Sequence, residues 1–166
     1  MSDPHSNASG PGGLDFAAPD NDDDPAGLPR ALLGDRSLEE AIEGLVTHVR
    51  DTTSFSTSLQ FDGWEPIDDH EKARHVFRIV RDAVAHAVMH SGGTHIVVSL
   101  ARHVRQCQIS IFDIGGHNTA GHATEDGGRL DEVRDRMEAS ASLIDAAIEI
   151  ERRPTGGMAI ALSFSA

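Results

Sequence analysis

Asp82, His86 and His90 stand at even four-residue spacing in the stretch RIVRDAVAHAVMHSGGTHIVVSL, residues 78–100. On a helix this spacing stacks the three side chains along one face. The chemistry such a face offers is metal ligation. A pair of histidines one turn apart is the spacing of helical zinc sites, and Asp82 would be a third ligand. No Glu follows His86, so the HExxH arrangement of metalloproteases is absent. The plain alternative is the polar side of an ordinary helix.

A second group lies in DIGGHNTAGHATEDGG, residues 113–128. Asp113 ends an alternating apolar run, and the glycines after it mark a mobile loop. His117 and His122 lie in that loop, and most histidines so placed are solvated surface residues that titrate near neutral pH.

The elements that must position these residues are legible from periodicity. SLEEAIEGLVTHVRDTT puts Leu38, Ala41, Ile42, Leu45 and Val49 on one helical face, with Ser37 and Glu40 as a capping box. SFSTSLQFD alternates Phe55, Thr57, Leu59 and Phe61, a strand pattern. A long helix is predicted from about Pro66 to Ser91. Val76, Ile79, Val80, Ala83, Ala87 and Val88 form its buried stripe, Asp68 and Asp69 sit at its positive end, and SGG stops it. THIVVSLARH and RQCQISIFDI read as two strands, with Cys107 in the core beside Ile109 and Ile111. RLDEVRDRMEASAS reads as a short helix on which Arg134 and Arg136, two apart, do not face one way. LIDAAIEIERR, PTGG and MAIALSFSA make a terminal hairpin. Short connections between neighbouring strands imply antiparallel pairing. The expected fold is a two-layer α/β sandwich, a mostly antiparallel sheet of about five strands with about three helices on one face. Trp64, in FDGWEP, is expected to pack at a turn.

Composition narrows the function classes. The net charge is −13, which argues against broad binding to nucleic acid or anionic lipid. Of the 14 cations all but Lys72 are arginine. One cysteine excludes an internal disulfide framework and fits a reducing compartment. Neither a membrane-length apolar run nor a secretory leader is visible, so a cytoplasmic location is expected. Residues 1–29 carry no Lys or Arg and are rich in Gly, Pro, Asp and Ser. They read as a disordered acidic tail, and residues 30–166 as the folded domain.

Element order and motifs together resemble the ATP-binding domain of sensor histidine kinases, in the GHKL or Bergerat-fold superfamily, nearest its nitrate-sensor and DesK-like subfamily. The similarity runs from about Leu28 to the C-terminus. The family's long helix reads like RIVQEALTNALRHSGA, and here RIVRDAVAHAVMHSGG. Its Asp-x-Gly-x-Gly box is matched by DIGGH, its Gly-x-Gly-Leu by GGRL before VRDRM, and its closing GGGT by TGGM.

The resemblance implies an ATP or ADP site. It assigns Asp113 to the adenine amino group, Gly115 to close approach of the base, Gly127 and Gly128 to the phosphate loop, and Gly157 to the closing box. Asp82 takes the place of the catalytic carboxylate, usually Glu, as a vestigial form. His86 replaces the Asn that binds Mg²⁺, and an imidazole is a poor ligand for that hard ion. His90 matches a position where the family often has His. His117, Arg129 and Met158 replace two glycines and a threonine of the pattern. A side chain at 129 would obstruct approach of backbone amides to phosphate. The family's phosphoacceptor hairpin has no counterpart here, and His5 lacks helical context. The resemblance therefore implies a degenerate domain, with weak nucleotide binding nearly indifferent to Mg²⁺, that binds a signalling partner such as a histidine kinase or response regulator. Phosphorylation of a separate chain, as by the anti-sigma-factor kinases, is the alternative, and a metal-binding module through His86 and His90 is a third.

Overall fold

The structure is a computed structural model that describes residues 28, 34, 36–114, 127–153 and 157–166. The acidic segment 1–27 and the loop residues Gly115, His117 and His122 lie outside the described residues.

Eight elements follow in order: α1 (Leu38–Thr52), β1 (Ser56–Asp62), α2 (His70–His90), β2 (His95–His103), β3 (Gln106–Ile114), α3 (Gly127–Ser142), β4 (Ala147–Arg152) and β5 (Met158–Ser165). The capping box forms as the sequence predicts. The Glu40 N–H donates to Ser37 Oγ at 3.3 Å, and Glu40 Oε2 accepts from the Ser37 N–H at 3.0 Å. α2 is shorter than periodicity suggests. Asp69 is its N-cap, its carboxylate accepting from the Lys72 N–H at 3.0 Å, so Pro66–Asp68 stay outside. At the other end Gly92 takes φ +61°, a left-handed conformation that lets the chain leave the helix cheaply. α3 begins at Gly127, two residues before the predicted start, so Gly127 and Gly128 form its first turn.

The five strands are ordered β1-β2-β3-β5-β4. β2–β3, β3–β5 and β5–β4 are antiparallel, but β1 and β2 are parallel. This is the mostly antiparallel sheet expected, and its one parallel pair has a plain cause: α2 intervenes between β1 and β2, and a helical crossover returns the chain in the same direction. Alternate residues of β2, β3 and β5 (Ile96, Val98 and Leu100; Cys107, Ile109 and Ile111; Ile160, Leu162 and Phe164) are buried with the apolar stripes of the helices in one core. Trp64 packs against that core and donates its indole N–H to Glu39.

No described helix is long and apolar enough to cross a membrane.

Candidate functional site

Asp113 lies on the core side of the sheet near the end of β3. In the ladder it opposes Ile96 of β2. On its other side the β3–β5 ladder stops at Phe112–Ala159, one pair short of Asp113 and Met158. The Met158 N–H, which would continue that ladder, donates instead to Asp113 Oδ1 at 2.7 Å. The Asp113 carbonyl accepts from Arg153 Nη1 at 3.2 Å. Side-chain bonds thus replace ladder bonds where the two strands part.

The Asp113 side chain is 2% exposed, yet its Oδ2 has no hydrogen-bond partner among the described residues. A buried carboxylate oxygen without a donor is costly and calls for an explanation. Two glycines face it. A Cβ on Gly157 would fall 2.2 Å from Oδ2, and one on Gly93 would fall 3.1 Å from it. Gly157 has φ +86°, so its backbone also favours glycine. The Gly93 N–H donates to Ser91 Oγ at 3.0 Å, and the Thr94 N–H to the Ile114 carbonyl at 2.9 Å. The first bond folds the SGG segment on itself, and the second seats its end against β3. The result is a buried acceptor oxygen between two bare backbones, suited to an N–H donor on a flat ligand.

Asp82, on α2, has a different environment. It is 7% exposed, and its Oδ1 accepts from Arg81 at 2.7 Å (Nη2) and 3.2 Å (Nε). Arg136 Nε, from α3, lies 3.9 Å from Oδ2. The Asp82 carboxylate is thus engaged from its own helix and approached from the facing one. His86 and His90 sit one turn apart with ring centroids 5.0 Å from each other and planes tilted by 40°. Among the described residues, no three metal-ligating side chains come together.

The sequence reading places Asp82, Asp113 and Gly157 in the site but misses Gly93, Arg81, Arg136 and Arg153. Gly93 belongs to a segment that reads only as a helix stop. Arg136 carries no signal in the sequence beyond its spacing from Arg134; its side chain is 64% exposed, yet its Nε lies 3.9 Å from Asp82 Oδ2. Cys107 is fully buried, and that burial pushes its thiol pKa up.

Comparison with solved structures gives the class of the fold. The histidine kinase domain of the Erythrobacter litoralis EL346 blue-light activated histidine kinase superposes with a TM-score of 0.56 at 16% identity, over 78% of this chain and 61% of that one. The Acinetobacter baumannii histidine kinase AdeS gives 0.58 at 13% identity, over 78% and 64%. The ATP binding domain of PrrB from Mycobacterium tuberculosis gives 0.54 at 21% identity, over 72% and 85%. The fold is that of histidine kinase ATP-binding catalytic domains, and the chain spans less than two thirds of the first two of these proteins. No protein-family model and no curated protein matches it.

Proposed function

We propose that this chain is an adenine-nucleotide-binding domain in two-component signalling that acts by binding a partner protein rather than by transferring phosphate. The observation that carries this reading is the Asp113 carboxylate, one oxygen fixed by the Met158 N–H and the other buried between Gly93 and Gly157 with no donor among the described residues. An exocyclic amino group supplies the missing donor, and the two glycines leave room for a flat ring. Adenine fits this end of the site.

Mg²⁺ does not fit the other end. The residue one turn beyond Asp82 is an imidazole rather than an oxygen ligand, and Asp82 is engaged by Arg81. Phosphoryl transfer depends on positioning and on metal charge neutralisation, so a weakened metal site costs more than a shortened carboxylate. The partner class is a histidine kinase or response regulator, in keeping with proteins that share the fold. The net charge of −13 favours a partner with a basic docking face, with association weakening as salt rises.

Calorimetry with ATP and ADP, with and without Mg²⁺, tests the reading. Weak binding is expected, indifferent to Mg²⁺ and lost in Asp113→Ala. Radiolabelled ATP incubated with candidate partners tests the absence of transfer. Strong labelling of any protein, abolished by Asp82→Ala, would establish a working kinase instead.

A further inference from the structure

The adenine reading leaves open what holds the Gly157–Met158 segment against Asp113 where the β3–β5 ladder has already ended. Arg153 makes three contacts there. Its backbone N–H donates to the Gly157 carbonyl at 3.1 Å, joining the end of β4 to the start of β5. Its Nη1 donates to the Asp113 carbonyl at 3.2 Å. Its guanidinium carbon lies 5.5 Å from the centroid of the Phe112 ring, on the face of the sheet away from the core. One residue therefore joins Gly157 to the strand that carries Asp113. It does so from outside the sheet, while the Asp113 carboxylate points inward.

We propose that Arg153 is a positioning residue for the nucleotide site: it ties Gly157, at the start of β5, to the end of β3 and so sets the gap between Gly157 and the Asp113 carboxylate. The inference rests on the adenine reading for its ligand, but the clamp itself does not. The gap is sensitive because Gly157 already touches the carboxylate so closely that a Cβ would overlap it. A shift of a few tenths of an ångström there alters both the Met158 N–H bond and the room beside Oδ2. Arg is suited to the task because its guanidinium lies over the Phe112 ring while it donates to the carbonyl; a lysine ammonium supplies the charge and a donor without the planar fork.

The test compares the full chain with Arg153→Ala, Arg153→Lys and Arg152→Ala. Arg152→Ala removes the same charge from the adjacent position. The first readout is hydrogen exchange of the Met158 amide without ligand. Arg153→Ala is expected to speed it about fivefold to tenfold, the equivalent of one modest hydrogen bond, with partial recovery in Arg153→Lys and no change in Arg152→Ala. The second readout is binding of adenosine and of ADP. Adenosine carries no phosphate, so an equal loss for both, again about fivefold, reports the pocket and not attraction of phosphate to a cation. Unchanged Met158 exchange in Arg153→Ala would overturn the clamp. A loss confined to ADP, or one matched by Arg152→Ala, would overturn the positioning role. If the wild-type chain binds neither compound, the adenine reading falls together with the nucleotide half of this inference, and the exchange data alone decide the clamp.

Discussion

Gly157→Ala is the substitution that probes the packing at Asp113 most directly. The added methyl carbon would stand 2.2 Å from Asp113 Oδ2 and 2.6 Å from both Cγ and Oδ1. None of these atoms can retreat easily, because the Asp113 side chain is 2% exposed and its Oδ1 holds the Met158 N–H. Two costs add. An alanine at φ +86° lies in the left-handed half of the map, which costs roughly 1 kcal/mol. Displacing the carboxylate breaks a buried hydrogen bond to a charged acceptor, roughly 2 kcal/mol more. The expected loss is about 3 kcal/mol, or roughly 10 °C in Tm for a domain of this size. Urea melts of Gly157→Ala, Asp113→Ala and the double variant separate the two parts. With the carboxylate gone, Gly157→Ala should cost only its backbone term, about 1 kcal/mol. An equal cost in both backgrounds would refute the argument that the carboxylate is what the methyl meets.

Three further outcomes follow from the same contacts. Arg81→Gln strips Asp82, 7% exposed, of its close guanidinium and should cost about 2 kcal/mol in chemical denaturation, whereas loss of the distant, mostly exposed Arg136 should cost under about 1 kcal/mol. Ser37→Ala removes one half of the α1 capping box and should cost about 1 kcal/mol, seen as a lowered urea midpoint with unchanged m-value. Burial raises the Cys107 pKa, so the folded state holds the thiol proton more tightly than the unfolded state does. That contribution is complete below the ordinary thiol range and is lost as pH rises through the raised folded value. Stability measured by urea unfolding should therefore decline with alkaline pH, and Cys107→Val should lack that component.

Much of this architecture is legible in the sequence because local rules and tertiary needs agree. The stripe of α1 lies within its fifteen residues and the capping box adds only Ser37 before them, and the alternation of β3 and β5 is equally local. The parallel pairing of β1 and β2 is less so, since short turns elsewhere suggest antiparallel neighbours and only the crossover through α2 decides otherwise. The start of α2 was misplaced because Asp68 and Asp69 both look favourable at a helix N-terminus, and cap geometry chooses Asp69. At the site, Asp113 and Gly157 stand out as motif residues. The arginines do not. Adjacent helix residues are not expected to face each other, yet the long Arg81 side chain folds back onto Asp82. Arg153 and Gly93 act through contacts that exist only after β3, β5 and the SGG segment have met.

The opening triplet therefore divides in the folded chain. Asp82 is drawn into ion pairs, while His86 and His90 lie beside each other along the helix, half-buried. The buried acceptor that awaits a donor lies elsewhere, on β3, where the ladder has opened. A site that retained phosphoryl transfer would need both ends arranged for ligand: an acceptor for the base, and an uncommitted carboxylate with oxygen ligands for a metal. On the proposed reading a base is held by groups already fixed in the fold, whereas freeing Asp82 means breaking an ion pair that is largely sheltered from water. The proposal of binding without transfer rests on that asymmetry, and the experiment that tests it lies at the strand end.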